Sequence, residues 1–235
     1  MRLKEEFVTI LIQPDSLLLF WFQNSLHKKS LFIPKAWKSK QLDSLQVNQS
    51  VIFNPTFLKS VIEDFLIVNN LKNAYIALGL SNTMIWEYCY ISFKEQPTSD
   101  SFSNALPSLI WNYAHLGKND FQENFFYLFG ITREILFQYQ LLALSVPFNC
   151  STITSHNRAL LYVMSFFEQP IFKTTGFPNT INQLSDHCMH VFDCFGHEEF
   201  FVDTSESFCD FFKKEKEAIL ASLGLFLLGK QYELQ

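Results

Sequence analysis

Phe7-Val8-Thr9-Ile10-Leu11-Ile12, Gln13-Pro14-Asp15-Ser16 and Leu17-Leu18-Leu19-Phe20-Trp21-Phe22-Gln23 read together as two apolar, β-rich strands joined by turn residues. Proline fixes the turn's φ, and Asp and Ser bond back to nearby backbone, so the stretch is a hairpin. Leu31 to Pro34 continues it as a third short strand. Asn54-Pro55 then puts a capping side chain and a first-turn proline before a periodic segment. In that segment Phe57, Leu58, Val61, Ile62, Phe65 and Leu66 repeat along one helical face. Ala74 to Leu80 and Ile85 to Phe93 return to strand character. Residues 1–93 thus read strand, strand, strand, helix, strand, strand, a lobe built on a mixed five-stranded sheet.

Lys94 to Ala105, with Gln96-Pro97-Thr98-Ser99-Asp100-Ser101 at its centre, has linker composition and divides the chain. Beyond it the sequence predicts a strand at Phe125 to Phe129, a helix capped by Thr132 and running through Leu144, a strand at Phe148 to Ile153, and a helix capped by Ser155 and running through Phe167. This makes residues 94–167 a smaller α/β portion. In residues 168–235 the pattern predicts a helix from Thr180 to Phe195, a short strand at Phe200 to Val202, and a last helix from about Phe208 to Leu228, packing back on the preceding lobes.

Composition narrows the chemistry. The 235 residues carry a formal net charge of −5, and the basic pairs Lys28-Lys29 and Lys213-Lys214 are short, which argues against nucleic acid as a partner. There are 7 glycines, none before Gly79. A backbone that wraps phosphate normally needs glycine, so that amides can converge on the anion, and the first third of the chain lacks it. Five scattered cysteines (Cys89, Cys150, Cys188, Cys194, Cys209) fit a reducing compartment. The longest apolar runs fall short of the roughly 20 residues that span a bilayer. Met1 to Glu6 carries mixed charge and Gln13-Pro14-Asp15 breaks the following apolar stretch, so no export is expected.

Three stretches carry a family resemblance: Asn73-Ala74-Tyr75-Ile76-Ala77-Leu78-Gly79-Leu80; Asn112-Tyr113-Ala114-His115-Leu116-Gly117 followed by Phe126-Tyr127-Leu128-Phe129-Gly130-Ile131-Thr132-Arg133-Glu134; and Ala221-Ser222-Leu223-Gly224-Leu225-Phe226-Leu227-Leu228-Gly229. With the order of elements, they resemble the actin-like (ribonuclease H-like) fold, and within it the PilM-type proteins of type IV pilus assembly and related secretion scaffolds. Members of that family bind ATP through glycine-containing hairpins in two lobes. Here the first hairpin, at Ile12 to Ser16, has no glycine and has a proline that removes an amide donor; nothing between Phe167 and Thr180 resembles the second. The resemblance therefore implies a shortened, degenerate relative: a non-catalytic cytoplasmic scaffold without a cofactor, peripheral at the inner membrane, holding the tail of an inner-membrane pilus-assembly or secretion protein. A nucleotide-binding ATPase with unrecognised phosphate loops and a zinc-binding regulator are the alternatives.

Four constellations bear on a site. His187, His190, Cys194 and His197 share a flank of the expected Thr180 to Phe195 helix, and imidazole and thiolate suit zinc. On one straight helix, however, they would spread over about 15 Å, so at most two could meet a distant ligand such as Cys209, and an ordinary polar flank is the expectation. Ser155-His156 has no nucleophile elbow around it and is assigned to helix capping. Arg133-Glu134 is a solvated first-turn pair. Trp86, Tyr88 and Tyr90 alternate along one strand face; they could belong to a core in a chain with 27 phenylalanines, or form an apolar anchor surface for a partner peptide.

Overall fold

In the computed structural model, described over residues 6–24, 31–48, 51–72, 74–80, 85–97, 108–118, 122–146, 149–167, 188–190, 192–193, 195–202 and 204–231, the opening hairpin nucleates a mixed sheet. Strands β1 (Glu6–Ile12), β2 (Ser16–Asn24) and β3 (Phe32–Gln41) are antiparallel neighbours, while β6 (Ala74–Leu80) lies parallel to β1 on its other side. The two-residue strands β4 (Val47–Asn48) and β5 (Val51–Ile52) form a separate small ribbon before helix α1 (Pro55–Val68). Asn54 caps α1 by accepting from the Phe57 amide at 3.0 Å.

The expected five-stranded sheet is present, with a correction to its membership. Its order is β10-β6-β1-β2-β3, and the fifth strand is β10 (Asn149–Ser155), parallel to β6. The stretch expected there, Ile85 to Phe93, instead forms β7 (Ile85–Ser92) of a second, three-stranded antiparallel sheet of order β7-β9-β8, with β8 (Leu109–Lys118) and β9 (Asn124–Thr132). A parallel neighbour of β6 needs a crossover, and helix α2 (Arg133–Ser145) supplies it, running from the end of β9 to the start of β10. The second sheet is thus an insertion between β6 and α2.

Both faces of the large sheet are covered because its central strands are apolar throughout. Val8, Ile10, Leu17 and Leu19 face α1 and α2 with Ile76 and Leu78. Phe7, Leu11, Phe20 and Phe22 face helices α3 (His156–Phe166), α4 (Glu206–Lys214) and α5 (Lys216–Gln231). The single long C-terminal helix expected from the sequence is two helices, α4 ending at its C-cap Glu215. The strand expected at Phe200 to Val202 is one parallel bridge, Phe201 to Phe32, held by Phe32 N–H to Phe200 O and Val202 N–H to Phe32 O, each 2.9 Å. Of the expected Thr180 to Phe195 helix, residues 180–187, 191 and 194 lie outside the described residues, and 188–190 and 192–193 are helical.

Helix α5 sits closest to its neighbours where it carries glycine. A Cβ on Gly224 would lie 1.9 Å from the Ala159 carbonyl oxygen of α3, and one on Gly229 2.8 Å from Ser151 Oγ of β10. Much of the phenylalanine serves this layer. Phe226 of α5 meets Phe7, Phe22 and Phe32 edge-on at centroid distances of 5.6–5.8 Å, and Phe208 meets Trp37 at 5.0 Å. Such pairs contribute about 0.5–1.5 kcal/mol each beyond area burial.

Candidate functional site

The insertion sheet carries different chemistry on its two faces, because alternate residues of each strand point to opposite sides. Register aligns three rows on the outer face: Trp86, Gly130 and Trp111; Tyr88, Leu128 and Tyr113; Tyr90, Phe126 and His115. Phe126 and Leu128, on the central strand, are buried beneath the rings of their neighbours. Tyr90, Tyr113 and His115 pack on Phe126 at centroid distances of 6.4, 5.8 and 5.2 Å. Trp111 lies across Gly130 so closely that a Cβ there would come within 2.8 Å of the indole.

Trp86 stands on an outer strand of the described sheet and is 55% exposed. Of the residues predicted as an anchor surface, Trp86 and Tyr90 share one face of β7, with Tyr90 half-buried on Phe126. The Tyr88 side chain lies outside the described residues.

The inner face holds a polar cluster that the sequence reading missed. Glu87 of β7 accepts hydrogen bonds from the Tyr127 hydroxyl and, at 2.7 Å, from Asn157 Nδ2 in the first turn of α3. Ser155 Oγ contacts the Tyr127 hydroxyl at 2.9 Å and accepts from the Arg158 amide at 3.2 Å, so the expected N-cap also joins the cluster. Burial raises Glu87 above the ordinary carboxylate range, while hydrogen bonds from Tyr127, Ser155 and Asn157 and the nearby His156 pull it part of the way back. Burial, reinforced by the charge of Glu87, raises the Tyr127 phenol well above its usual value and pushes Cys89 up to about 12. His156, itself buried, lies 3.0 Å from the half-exposed Glu217 and holds that carboxyl below its usual range. A signal was present in the alternation itself: the turn of strand that sends Trp86 and Tyr90 outward sends Glu87 inward, and an inward carboxylate needs partners.

At the first hairpin part of the polar capacity is used internally. The Gln13 amide donates to Ser16 O at 2.8 Å, the Leu42 amide occupies Asp15 O at 2.7 Å, and Ser16 Oγ donates to Gln13 Oε1 at 2.8 Å. A polar cavity of about 380 Å³ opens beside it, lined among others by Pro14, Asp15, Gln41, Lys214 and Glu215. Arg133 and Glu134 are exposed in the first turn of α2.

Of the cysteine and histidine set, His187 and Cys194 lie outside the described residues. Among the described residues no group of three or more His, Cys, Asp or Glu is placed to hold a metal ion, and no helix is long and apolar enough to cross a membrane. His197 is not on a continuing helix; it opens a single 3₁₀ turn, His197–Glu199.

No family model matches the sequence, and no curated protein does. Among solved structures, the chain is similar to one in the "PilM-PilN type IV pilus biogenesis complex", at 12% identity and a TM-score of 0.54, over 70% of this chain and 51% of that one. It is also similar, at 12% identity and a TM-score of 0.41, to the cytoplasmic domain of EpsL, an inner membrane component of the type II secretion system of Vibrio cholerae, over 66% of this chain and 57% of that one. The chain thus spans about half the length of the first of these. At such identity the likeness is one of fold: an α/β, actin-like lobe.

Proposed function

We propose that this chain is a non-catalytic assembly scaffold of a pilus or secretion apparatus, working in the cytoplasm at the inner membrane, where it holds a short tail of a membrane-embedded partner. The observation that carries the reading is the likeness of fold to a chain of the PilM-PilN complex. The outer face of the insertion sheet supports a docking role: Trp86 is a large ring left half in water on an outer strand of the described sheet. An extended tail adding alongside β7, an outer strand of the described insertion sheet, would cover the face that carries Trp86 and Tyr90, strand addition supplying affinity and the rings specificity.

The hairpin cavity supports the non-catalytic side of the proposal. Its backbone donors are depleted by Pro14 and by the internal Gln13 to Ser16 bond, and Asp15 and Glu215 set two carboxylates against Lys214. That lining disfavours a polyphosphate.

The test pairs two titrations on the purified chain. Synthetic peptides matching the cytoplasmic tails of the host's inner-membrane pilus and secretion proteins are titrated by calorimetry, and ATP with Mg²⁺ by thermal shift. Saturable binding of one tail with no ATP-induced rise in Tm is the expected result. A saturable rise with ATP overturns the non-catalytic reading, because a ligand bound to the native state must stabilise it; failure of every tail overturns the scaffold reading.

A further inference from the structure

The 3₁₀ turn and the first turns of α4 bring together three side chains that the proposed docking role does not use. Cys209 Sγ lies 3.2 Å from His197 Nε2, and His197 Nδ1 lies 3.2 Å from Glu198 Oε2. The carboxylate on Nδ1 fixes the proton there, which turns the Nε2 lone pair toward the thiol. Thr204 Oγ1 also contacts Cys209 Sγ, at 3.4 Å. The ring of His197 rests edge-on against Phe212 at 6.3 Å, while Cys209 is half-buried and the histidine side chain 30% exposed. Charged groups described near the pair include Glu198, Asp210 with its Lys213 partner, and Lys216, which bonds Phe195 O, stands over Phe212 and pairs with Asp193 at 4.0 Å. A nucleophile, a base and a group that orients the base are therefore in successive contact and partly exposed.

The other described thiols are differently placed. Cys89 and Cys188 are each pushed up to about 12, chiefly by burial, and Cys150 to about 11. Cys209, by contrast, has the His197 imidazole beside it.

We propose that Cys209 is a thiol-modification site, activated by His197 and oriented through Glu198, whose reactant is a low-molecular-weight disulfide. The Sγ–H proton passes to Nε2 as sulfur attacks one sulfur of the disulfide. A new S–S bond forms to Cys209, the old one breaks, and the departing thiolate takes the proton from Nε2 to leave as a free thiol. The exchange is balanced with no other oxidant. Its product adds bulk between the 3₁₀ turn and α4, next to Phe208 and the Trp37 ring it supports.

The test uses the intact, reduced chain with 5,5′-dithiobis(2-nitrobenzoate) as the probe disulfide, following release of the coloured thiolate and locating the label by peptide mass. The expected result is that Cys209 is labelled first, about tenfold or more faster than Cys150, and that His197→Gln lowers its rate about tenfold. Glu198→Gln, at a position 69% exposed in its side chain, leaves the fold untouched and gives a smaller fall. First labelling at any other cysteine, or a Cys209 rate that neither variant changes, overturns the proposal.

Discussion

The two sheets of this molecule solve different problems. In the five-stranded sheet both faces of the central strands β1, β2 and β6 are buried against helices, and these three strands are predominantly apolar on both sides. In the insertion sheet β9 alone is buried along most of its length, while β7 and β8 are edge strands carrying exposed Trp86, Ile91, Ile110 and Tyr113. The comparison separates the part that holds the fold from the part free to present side chains. Among their described contacts is a polar seam, Glu87 and Tyr127 of the insertion against Ser155 and Asn157 of the lobe.

The largest effect is expected where the lobe is tightest. Gly224→Ala would place a Cβ on the Ala159 carbonyl of α3, and backbone cannot yield as a side chain does. On an exposed helix this change would stabilise; here separating the two helices should cost about 3 kcal/mol, read as a fall in the urea midpoint. An unchanged midpoint would mean that α5 does not sit this close to α3.

Next comes the seam. Tyr127→Phe removes the hydroxyl that serves both Glu87 and Ser155, at an expected cost of about 2 kcal/mol. The seam also has a pH signature. Because the folded protein raises Glu87 above its ordinary value of 4.5, the contribution of this group is fully present below 4.5 and is lost as pH rises through the raised value. Glu217, held low by His156, works in the opposite sense: its contribution is present above its ordinary value and lost as pH falls through the lowered one. Glu87→Gln should therefore abolish the decline above 4.5 and leave the acid-side loss. Denaturant unfolding across pH checks this, and a decline that survives the substitution would remove Glu87 from the account.

The two helix caps sharpen the comparison at a smaller scale. Asn54→Ala, at an exposed cap, should cost about 1 kcal/mol. Ser155→Ala should cost more, since Ser155 also contacts the buried Tyr127 hydroxyl. Equal losses would show that the seam hydrogen bond adds nothing to the cap.

How far the sequence could be read follows the same division. Hairpin, α1, β6, α2 and α3 were legible because each pairs a periodic apolar pattern with a local signal: Pro14 in the turn, Asn54, Thr132 and Ser155 as caps, all found in those roles. Strand order was not, because pairing β10 rather than β7 with β6 depends on contacts between residues about seventy positions apart. No strand was expected at β8, since its exposed, mixed residues carry little alternation. At the candidate site the outward rings were legible from period two, whereas the partners of Glu87 come from β9 and α3 and have no local signature. The approach of Cys209 to His197 is likewise tertiary, joining a 3₁₀ turn to a helix across a loop.

The smallest expected effect on folding falls at Trp86, and it is the most informative about function. A ring 55% exposed on an edge strand gives up little burial when truncated, so Trp86→Ala should change stability by no more than about 0.5 kcal/mol. If the outer face is where a tail docks, the same substitution removes a large aromatic anchor, and truncating such an anchor costs about 2 kcal/mol or more in binding, a thirtyfold loss of affinity. The pairing of a silent unfolding curve with a weakened peptide titration is what distinguishes a displayed side chain from a structural one. A variant that binds as tightly as the parent would move the docking surface off this face, while one that unfolds markedly earlier would make Trp86 part of the packing over Gly130 and Trp111 and return the outer rings to the core.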